Sequence, residues 1–390
     1  GMAAHTMLGD LSVEKFYRFI CKSDIHTFQL LKELSLLETL CWVDTKMGYL
    51  IDGEVHNWGE PISLLTFPHM TMAEKFRYGF MMWRLTKAKN FDHLDSLDAQ
   101  SWLQKGLGMK IYDLLWRRLL ELKFYEFSDK ISASWIATRI KRIGNSRRNI
   151  FNEQLGYIYG GSETLVNSLV TQITKNGGNL QLKTPVDLIS PQKGKLKVTT
   201  RHGISSIYDD VITTIPTPLV SKVVPTLLDE EKTKLNSIEN IGVVCISINL
   251  RRSVTNKFWL NIADQNFDIP GIIEFSNLRN LESTVVYIPY YMPITNAKFS
   301  ESDEVFIKKC KRHCMNINPE LKDADFLNFH VARLQYSQPI CTPKFGDHLP
   351  EMQTSVSGLQ VADTSYYYPE DRGFSESIKL GRQMAQNITT

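Results

Sequence analysis

The chain has 390 residues, more than one small core needs and enough for two or three compact units. Hydrophobic residues make up 43% and charged residues 22%, a balance that excludes a largely disordered chain. Lys+Arg number 45 against Asp+Glu 42, a formal net charge of +3 that gives no bulk electrostatic reason to bind nucleic acid.

No apolar run is long enough to cross a bilayer, and the first residues lack the basic-then-apolar order of a signal peptide. Six cysteines are too sparse for a disulfide scaffold, so the expected setting is a reducing cytoplasm. Gly1 stands ahead of Met2, as a tag scar or a cut from a longer chain would leave it.

Residues 11–46 place Phe16, Phe19, Ile20 and then Phe28, Leu31 and Leu34 at three- and four-residue spacing, which predicts helix. Asp52-Gly53 inside Gly48–Val55 predicts a hairpin, because a tight turn needs positive φ there. Residues 70–150 are again helical in pattern. Lys75–Arg84 mixes cations with large apolar groups and is expected to be a core-facing helix with exposed cations; docking on a membrane is the alternative. Tyr159-Gly160-Gly161-Ser162 opens an amphipathic helix that Ser162 caps and Gly177-Gly178 ends.

A strand at Leu180 and Leu182, a turn at Thr184-Pro185-Val186, and a hairpin about Lys193-Gly194 follow. Asp209–Pro216 reads as a buried strand stopped by proline. Gly242–Ile248 and Thr284–Ile288 read as sheet strands, and 301–318 as a basic amphipathic helix. Within that helix Cys310, His313 and Cys314 lack a second ligand pair, so they are expected to be semi-buried side chains and not a metal site. The chain closes with strand Leu359-Gln360-Val361, then Asp363, an aromatic loop and a last helix.

That closing segment carries the clearest chemistry. A carboxylate at a strand end can accept hydrogen bonds from ribose or ribityl hydroxyls. The helix start at Gly373, Phe374 and Ser375 offers free N–H groups and a positive dipole end, suited to a phosphate or an electron-rich ring. An ordinary terminal strand-helix unit has the same pattern. Arg139, Lys141, Arg142, Arg147 and Arg148 form a basic cluster that reads first as a solvated helix face and second as a grip for carboxylates or a diphosphate.

Three segments in order resemble the flavin-containing amine oxidase superfamily, which includes protoporphyrinogen oxidases and phytoene desaturases. They are Gly160-Gly161-Ser162-Glu163-Thr164-Leu165 with Gly177-Gly178 and Thr184-Pro185-Val186, then Asp210–Pro216, then Gly358–Asp363 with Gly373, Ser377, Gly381 and Ala385. The resemblance implies FAD as cofactor, with Gly160, Gly161, Val186, Pro216, Asp363, Gly373, Phe374 and Ser375 around it. It would bring Tyr366, Tyr367 and Tyr368 to line the ring, with Arg139, Arg142, Tyr367 and Tyr368 as substrate contacts.

The family also opens with a strand, a G-x-G-x-x-G turn and a helix that cradle the pyrophosphate. Gly106-Leu107-Gly108 fails that spacing. Gly1-Met2-Ala3-Ala4 resembles the segment just after the turn, which implies a preceding unit of ~40 residues beyond the sequence given. Arg18 stands where one branch of the family often has histidine.

The fold class implied is α/β: an N-terminally truncated dinucleotide-type FAD domain, plus a substrate domain of antiparallel sheet and helical cap. Its division is 1–25, 151–220 and 345–390 for the FAD domain, 26–150 for the cap and 221–344 for the substrate sheet. The function expected is hydride transfer from a C–H or C–N centre of a small-molecule substrate to flavin. The alternatives are a flavin-dependent nucleotide-sugar mutase and a non-catalytic remnant.

Overall fold

The computed structural model describes residues 2–389; Gly1, and with it the question of what precedes Met2, lies outside them. The chain opens with a hairpin of β1 (His5–Leu8) and β2 (Leu11–Glu14), turned at Gly9 with φ 65°. The helix expected over 11–46 is therefore confined to α1 (Ile25–Glu33), and β3 (Leu40–Asp44) follows. Phe16, Phe19 and Ile20 have helical spacing but lie on an extended segment whose Ile20 pairs with Gly156.

β4 (Met47–Ile51) and β5 (Glu54–Trp58) form the expected hairpin, with Asp52 and Gly53 at φ 53° and 79°. A helical block comes next: α2 (Pro61–Thr66), α3 (Met72–Lys87), α4 (Ala99–Leu107), α5 (Met109–Tyr112), α6 (Arg118–Phe124) and α7 (Ala133–Gly144). Thr71 and Glu74 start α3 with a reciprocal capping box. Gly108 ends α4 at φ 90°, so Gly106-Leu107-Gly108 is a helix terminus and not a phosphate turn.

β6 (Arg147–Asn149) and β7 (Asn152–Ile158) join β3 in a three-stranded antiparallel sheet ordered β3-β7-β6. α8 (Ser162–Lys175) begins at Gly161, with Ser162 its first helical residue and not its cap. Residues 180–185 form no strand. β8 (Val186–Gln192), β9 (Lys195–Thr200) and β10 (Ser205–Tyr208) make an antiparallel meander, its first turn at Lys193-Gly194.

β11 (Val211–Thr213) leads through α9 (Thr217–Val223) and α10 (Asp229–Asn236) to β12 (Asn240–Leu250). After β13 (Trp259–Ile262), β14 (Gly271–Glu274) and β15 (Thr284–Met292) come α11 (Asp303–Ile317), β16 (Phe326–Pro339) and α12 (Phe345–His348). β17 (Leu359–Val361) pairs in parallel with β11, Val211 opposite Leu359, before α13 (Phe374–Thr389).

The largest sheet has seven strands ordered β16-β12-β15-β14-β13-β4-β5, antiparallel except where β13 runs beside β4. Both of its faces are covered, so β12 is buried almost throughout instead of alternating with water. Val243, Cys245 and Tyr287 join one core with Leu103, Leu107, Phe124 and Trp135 of the helical block. Val244, Ile246, Ile248 and Tyr290 join another with Phe306, Cys310 and Cys314 of α11. Burial pushes both of those thiols upward, and the buried His313 hydrogen-bonds Asp268 at 2.7 Å. Among the described residues no cluster of His, Cys, Asp and Glu could hold a metal ion, and no helix is long and apolar enough to cross a membrane.

α3 faces the core with Tyr78, Met81, Met82 and Leu85 and exposes Arg77, Arg84 and Lys87, as expected, but it buries Lys75 and carries a second apolar stripe outward. Met72, Phe76, Phe80 and Trp83 are exposed, joined by Ile62 and Leu65 of α2, whereas Lys75 is buried with Nζ donating to the Leu65 carbonyl at 2.6 Å. Arg77 donates to the carbonyls of Gly106 and Lys105. The protein's own carbonyls satisfy these cations while the rings face outward.

Gly161 sits at φ 84° with Arg279 Nη1 2.7 Å and Glu14 Oε1 2.8 Å from where a Cβ would be. Gly161→Ala is expected to cost about 3 kcal/mol of stability, because strain and displacement of a buried ion pair add. Gly177→Ala, at φ 82° with open space around it, should cost only about 1 kcal/mol. Equal losses in chemical denaturation would refute the crowding argument.

Burial raises the Glu153 carboxyl from its ordinary 4.5 to about 7, although Thr45 Oγ1 donates to it at 3.0 Å. The folded state therefore holds a proton that the unfolded state releases, and stability falls as pH rises between about 4.5 and 7. The slope from this one group is about 1.4 kcal/mol per pH unit. Glu153→Gln should flatten thermal stability across that window relative to the parent, and parallel curves would contradict the assignment.

Candidate active site

A cleft with about 90 Å³ of free volume opens between the segment after β2 and the start of α13. Phe16, Tyr17, Arg18 and Phe19 form one wall, and Asp371, Arg372, Gly373 and Phe374 another. The floor is the helix-facing side of the large sheet, with Val243 and Cys245 of β12 and Pro289 and Tyr291 of β15; α6 and α7 contribute Lys123, Arg139 and Arg142. α13 thus points its unpaired N–H groups and positive dipole end toward the cleft.

Charge here is one-sided. Arg18, Lys123, Arg139, Arg142 and Arg372 line the cleft, against one lining carboxylate, Asp371. Arg139 Nη1 donates to Asp371 Oδ2 at 3.0 Å. Arg142 is forked onto Asp24, Nε to Oδ1 at 3.0 Å and Nη2 to Oδ2 at 2.8 Å. Arg372 Nη1 donates to Ser337 Oγ at 2.8 Å, and Arg18 Nη2 to the Met2 carbonyl at 3.2 Å. Burial alone would raise the Asp371 carboxyl, but Arg139, Lys123, Arg372 and Arg142 together hold it at about 2. Burial, with Arg372 nearby, lowers Arg18 to about 10.

Gly373, Phe374, Arg139 and Arg142 of the sequence-predicted residues line this cleft. Ser375, in the first turn of α13, is buried behind them. Gly160 and Gly161, at φ 79° and 84°, lead into α8, and Ser162 after them shares a small second cavity with Glu14, Arg18 and Phe374. Asp363 is turned to backbone: Oδ2 accepts from the Thr217 N–H at 2.7 Å and Oδ1 from the Ser365 N–H at 2.8 Å. Pro216 immediately precedes that Thr217. Val186 is 39% exposed at the start of β8, away from the cleft lining.

Tyr366, Tyr367 and Tyr368 do not line the cleft. The hydroxyl of Tyr366 donates to the Pro350 carbonyl, that of Tyr367 bonds Ser377 Oγ, and that of Tyr368 bonds Asp95 and Ser132. The basic cluster also divides: Arg147 donates to Gly59 and Gly144 carbonyls, Arg148 pairs with Asp44, and Lys141 donates to the Lys89 carbonyl.

Thirteen buried side-chain polar atoms have no hydrogen-bond partner among the described residues; four of them, Arg18 Nε, Ser162 Oγ, Thr217 Oγ1 and Ser365 Oγ, lie on the cleft wall or within two residues of positions the resemblance sets around the cofactor. Buried polar groups are normally satisfied, so these four leave capacity for a polar ligand. Sequence reasoning missed Lys123, Asp371 and Arg372. The Asp371-Arg372 pair stands directly before Gly373, whereas Lys123 carries no local signal beyond a lone cation in an apolar run.

Known structures share the architecture. A protein described as a protoporphyrinogen oxidase from Exiguobacterium sp. 255-15 matches with a TM-score of 0.75 at 15% identity, covering 100% of this chain and 90% of that one. Cyclohexylamine oxidase from Brevibacterium oxydans IH-35A matches at 0.70 and 12%, covering 100% and 92%. Reduced UDP-galactopyranose mutase matches at 0.67 and 11%, covering 89% and 78%. At these identities the likeness concerns the fold. No curated protein matches the sequence. Residues 2–388 match the flavin-containing amine oxidoreductase family, and the chain belongs to it.

Proposed function

We propose that the protein is an FAD-dependent oxidoreductase whose cleft receives the flavin ring and a small-molecule substrate. The observation that carries this is the start of α13 opening onto a cleft lined by four arginines and a lysine against one carboxylate. Such a field favours an electron-rich ring over an electron-poor one. FAD would supply the hydride-accepting chemistry when bound.

The chain's own residues then bind and orient. The four orphaned atoms suit the hydroxyls and phosphates of a dinucleotide running from Gly160-Gly161 past Pro216 and Asp363 to Gly373, Phe374 and Ser375. Segments 1–25, 151–220 and 345–390 would make up the flavin-binding part. Phe16, Phe19, Trp259 and Tyr291 provide apolar walls that exclude water from the reacting bond. A nucleotide-sugar mutase reading is weaker, because Arg139 and Arg142 are each engaged by a carboxylate and are not free to clamp a diphosphate.

The purified protein, supplied with FAD, is expected to retain flavin absorbance through gel filtration and to lose it on anaerobic addition of an oxidisable amine or a related C–H donor. A colourless protein that ignores FAD would overturn the proposal in favour of a non-catalytic remnant.

The outward stripe Met72, Phe76, Phe80 and Trp83, with Ile62 and Leu65 beside it, further suggests peripheral contact with a membrane surface. Arg84 and Lys87 at the end of α3 supply flanking positive charge. Co-sedimentation with anionic phospholipid vesicles should fall about tenfold or more in a Phe76→Ser, Phe80→Ser, Trp83→Ser triple variant, since each ring contributes roughly 1.5–3 kcal/mol on burial. Equal sedimentation of parent and variant would dismiss this surface.

A further inference from the structure

Lys123 is the cleft's anomalous cation. Its side chain is 7% exposed and lines the cleft from the end of α6. Arg18, Arg139, Arg142 and Arg372 each donate to a protein oxygen, whereas Nζ of Lys123 has no acceptor within hydrogen-bond reach among the described residues. It rests instead against three rings, with Nζ 5.3 Å from the centroid of Phe124, 5.2 Å from Trp135 and 5.5 Å from Tyr291.

The groups facing it come from every side of the cleft. Arg139 on α7 and Arg372 before α13 oppose a positive charge on Nζ, while Asp371 and the Cys341 thiol favour one. Burial outweighs them all and takes the amine well below its ordinary range. The rings act in the other direction, since a cation over an aromatic face gains about 0.5–2 kcal/mol. The cage therefore leaves both forms accessible: an amine with a free lone pair, and an ammonium that finds some compensation once a proton arrives.

We propose that Lys123 is the proton acceptor of this cleft, taking the N–H or O–H proton of the substrate as the adjacent carbon is oxidised. This rests on the oxidoreductase reading above. The substrate's C–H bond breaks with its electron pair and hydrogen passing as hydride to the flavin. The N–H or O–H bond breaks with its proton passing to the Nζ lone pair. A C=N or C=O double bond forms, so two electrons and one hydrogen end on the flavin and one proton on Lys123. A substrate that releases such a proton, an amine or an alcohol, is the class this group serves. A hydrocarbon desaturated between two carbons also loses a proton, but from a C–H bond too weakly acidic for an amine base of this kind.

The first test needs no cofactor. Lysines of the full chain are reductively methylated with ¹³C-formaldehyde, and the Lys123 resonance is assigned by its absence in Lys123→Arg. It is expected to titrate clearly below the main group of lysine resonances, because burial disfavours its charged form. Titration together with them overturns the proposal whatever the protein oxidises.

The second test uses the FAD-loaded protein, measuring the rate of anaerobic flavin reduction against pH. The parent should show an ascending limb at the midpoint found for Lys123. That limb should be absent in Lys123→Met, with the rate reduced at least about a hundredfold, as expected for loss of a general base. Added methylamine should restore part of the rate in Lys123→Met but not in the space-filling Lys123→Arg. Superimposable profiles for parent and Lys123→Met overturn the proposal. A protein whose Lys123 titrates low, yet whose bound flavin no donor reduces, overturns the oxidoreductase reading and the role with it, while the neutral amine stands.

Discussion

One buried carboxylate ties the opening hairpin to the rest of the molecule. Glu14, 3% exposed at the end of β2, accepts from the Ser162 N–H at 3.0 Å and pairs with Arg279 Nη1 at 3.1 Å. Its backbone oxygen accepts from the Tyr287 hydroxyl at 2.6 Å. A single residue thus joins the amide end of α8, the segment before β15 and β15 itself. A charge so far from water is tolerable only when paired and hydrogen-bonded, so the three elements must arrive together. Removing one partner would leave the other charge buried and uncompensated, which costs more than the pair contributes. The segment Phe16–Phe19 starts two residues later, so the placement of Glu14 also sets one wall of the cleft.

The cleft itself is built against folding stability. Four guanidinium groups and a lysine amine crowd one carboxylate, and each loses water on the way in. Asp371 answers Arg139 directly, Asp24 answers Arg142, and neutral oxygens answer Arg18 and Arg372. What remains is net positive charge in a small volume, a field the chain alone does not neutralise. Local rules broken in one place are a mark of a working site, and this is the place where these rules are broken most.

Much of the fold could be read from short-range signals. Asp52-Gly53 and Lys193-Gly194 announced their hairpins because positive φ is a property of two residues. The Gly373-Phe374 helix start was legible as a local break before a helical pattern, and it does line the cleft. Phe16, Phe19 and Ile20 misled because helical spacing also arises by chance on an extended segment when its burial is set by partners elsewhere: Phe19 packs edge-on to Phe258 and Trp259. α3 departed from its pattern at Lys75, which is buried because its Nζ finds the Leu65 carbonyl, a partner that no periodicity reveals. Lys123 could not have been found from its neighbours. Of its cage only Phe124 is adjacent, and Trp135 and Tyr291 come from α7 and β15.

The helix that carries the cleft arginines is also the one that braces the outward stripe. α3 and α7 lie against each other closely enough that a Cβ on Gly144 would meet Thr86 Cγ2 at 2.8 Å. Leu85 packs in one cluster with Ala133 and Ala137, and Met81, Met82 and Ile140 close around them. Small residues on α7 permit this approach, and close-packed interiors transmit displacement instead of absorbing it. Arg139 and Arg142 project from the same helix toward the cleft. The apolar outer face of α3 and the cleft-lining arginines of α7 are therefore held in a fixed relation by one packed helix pair.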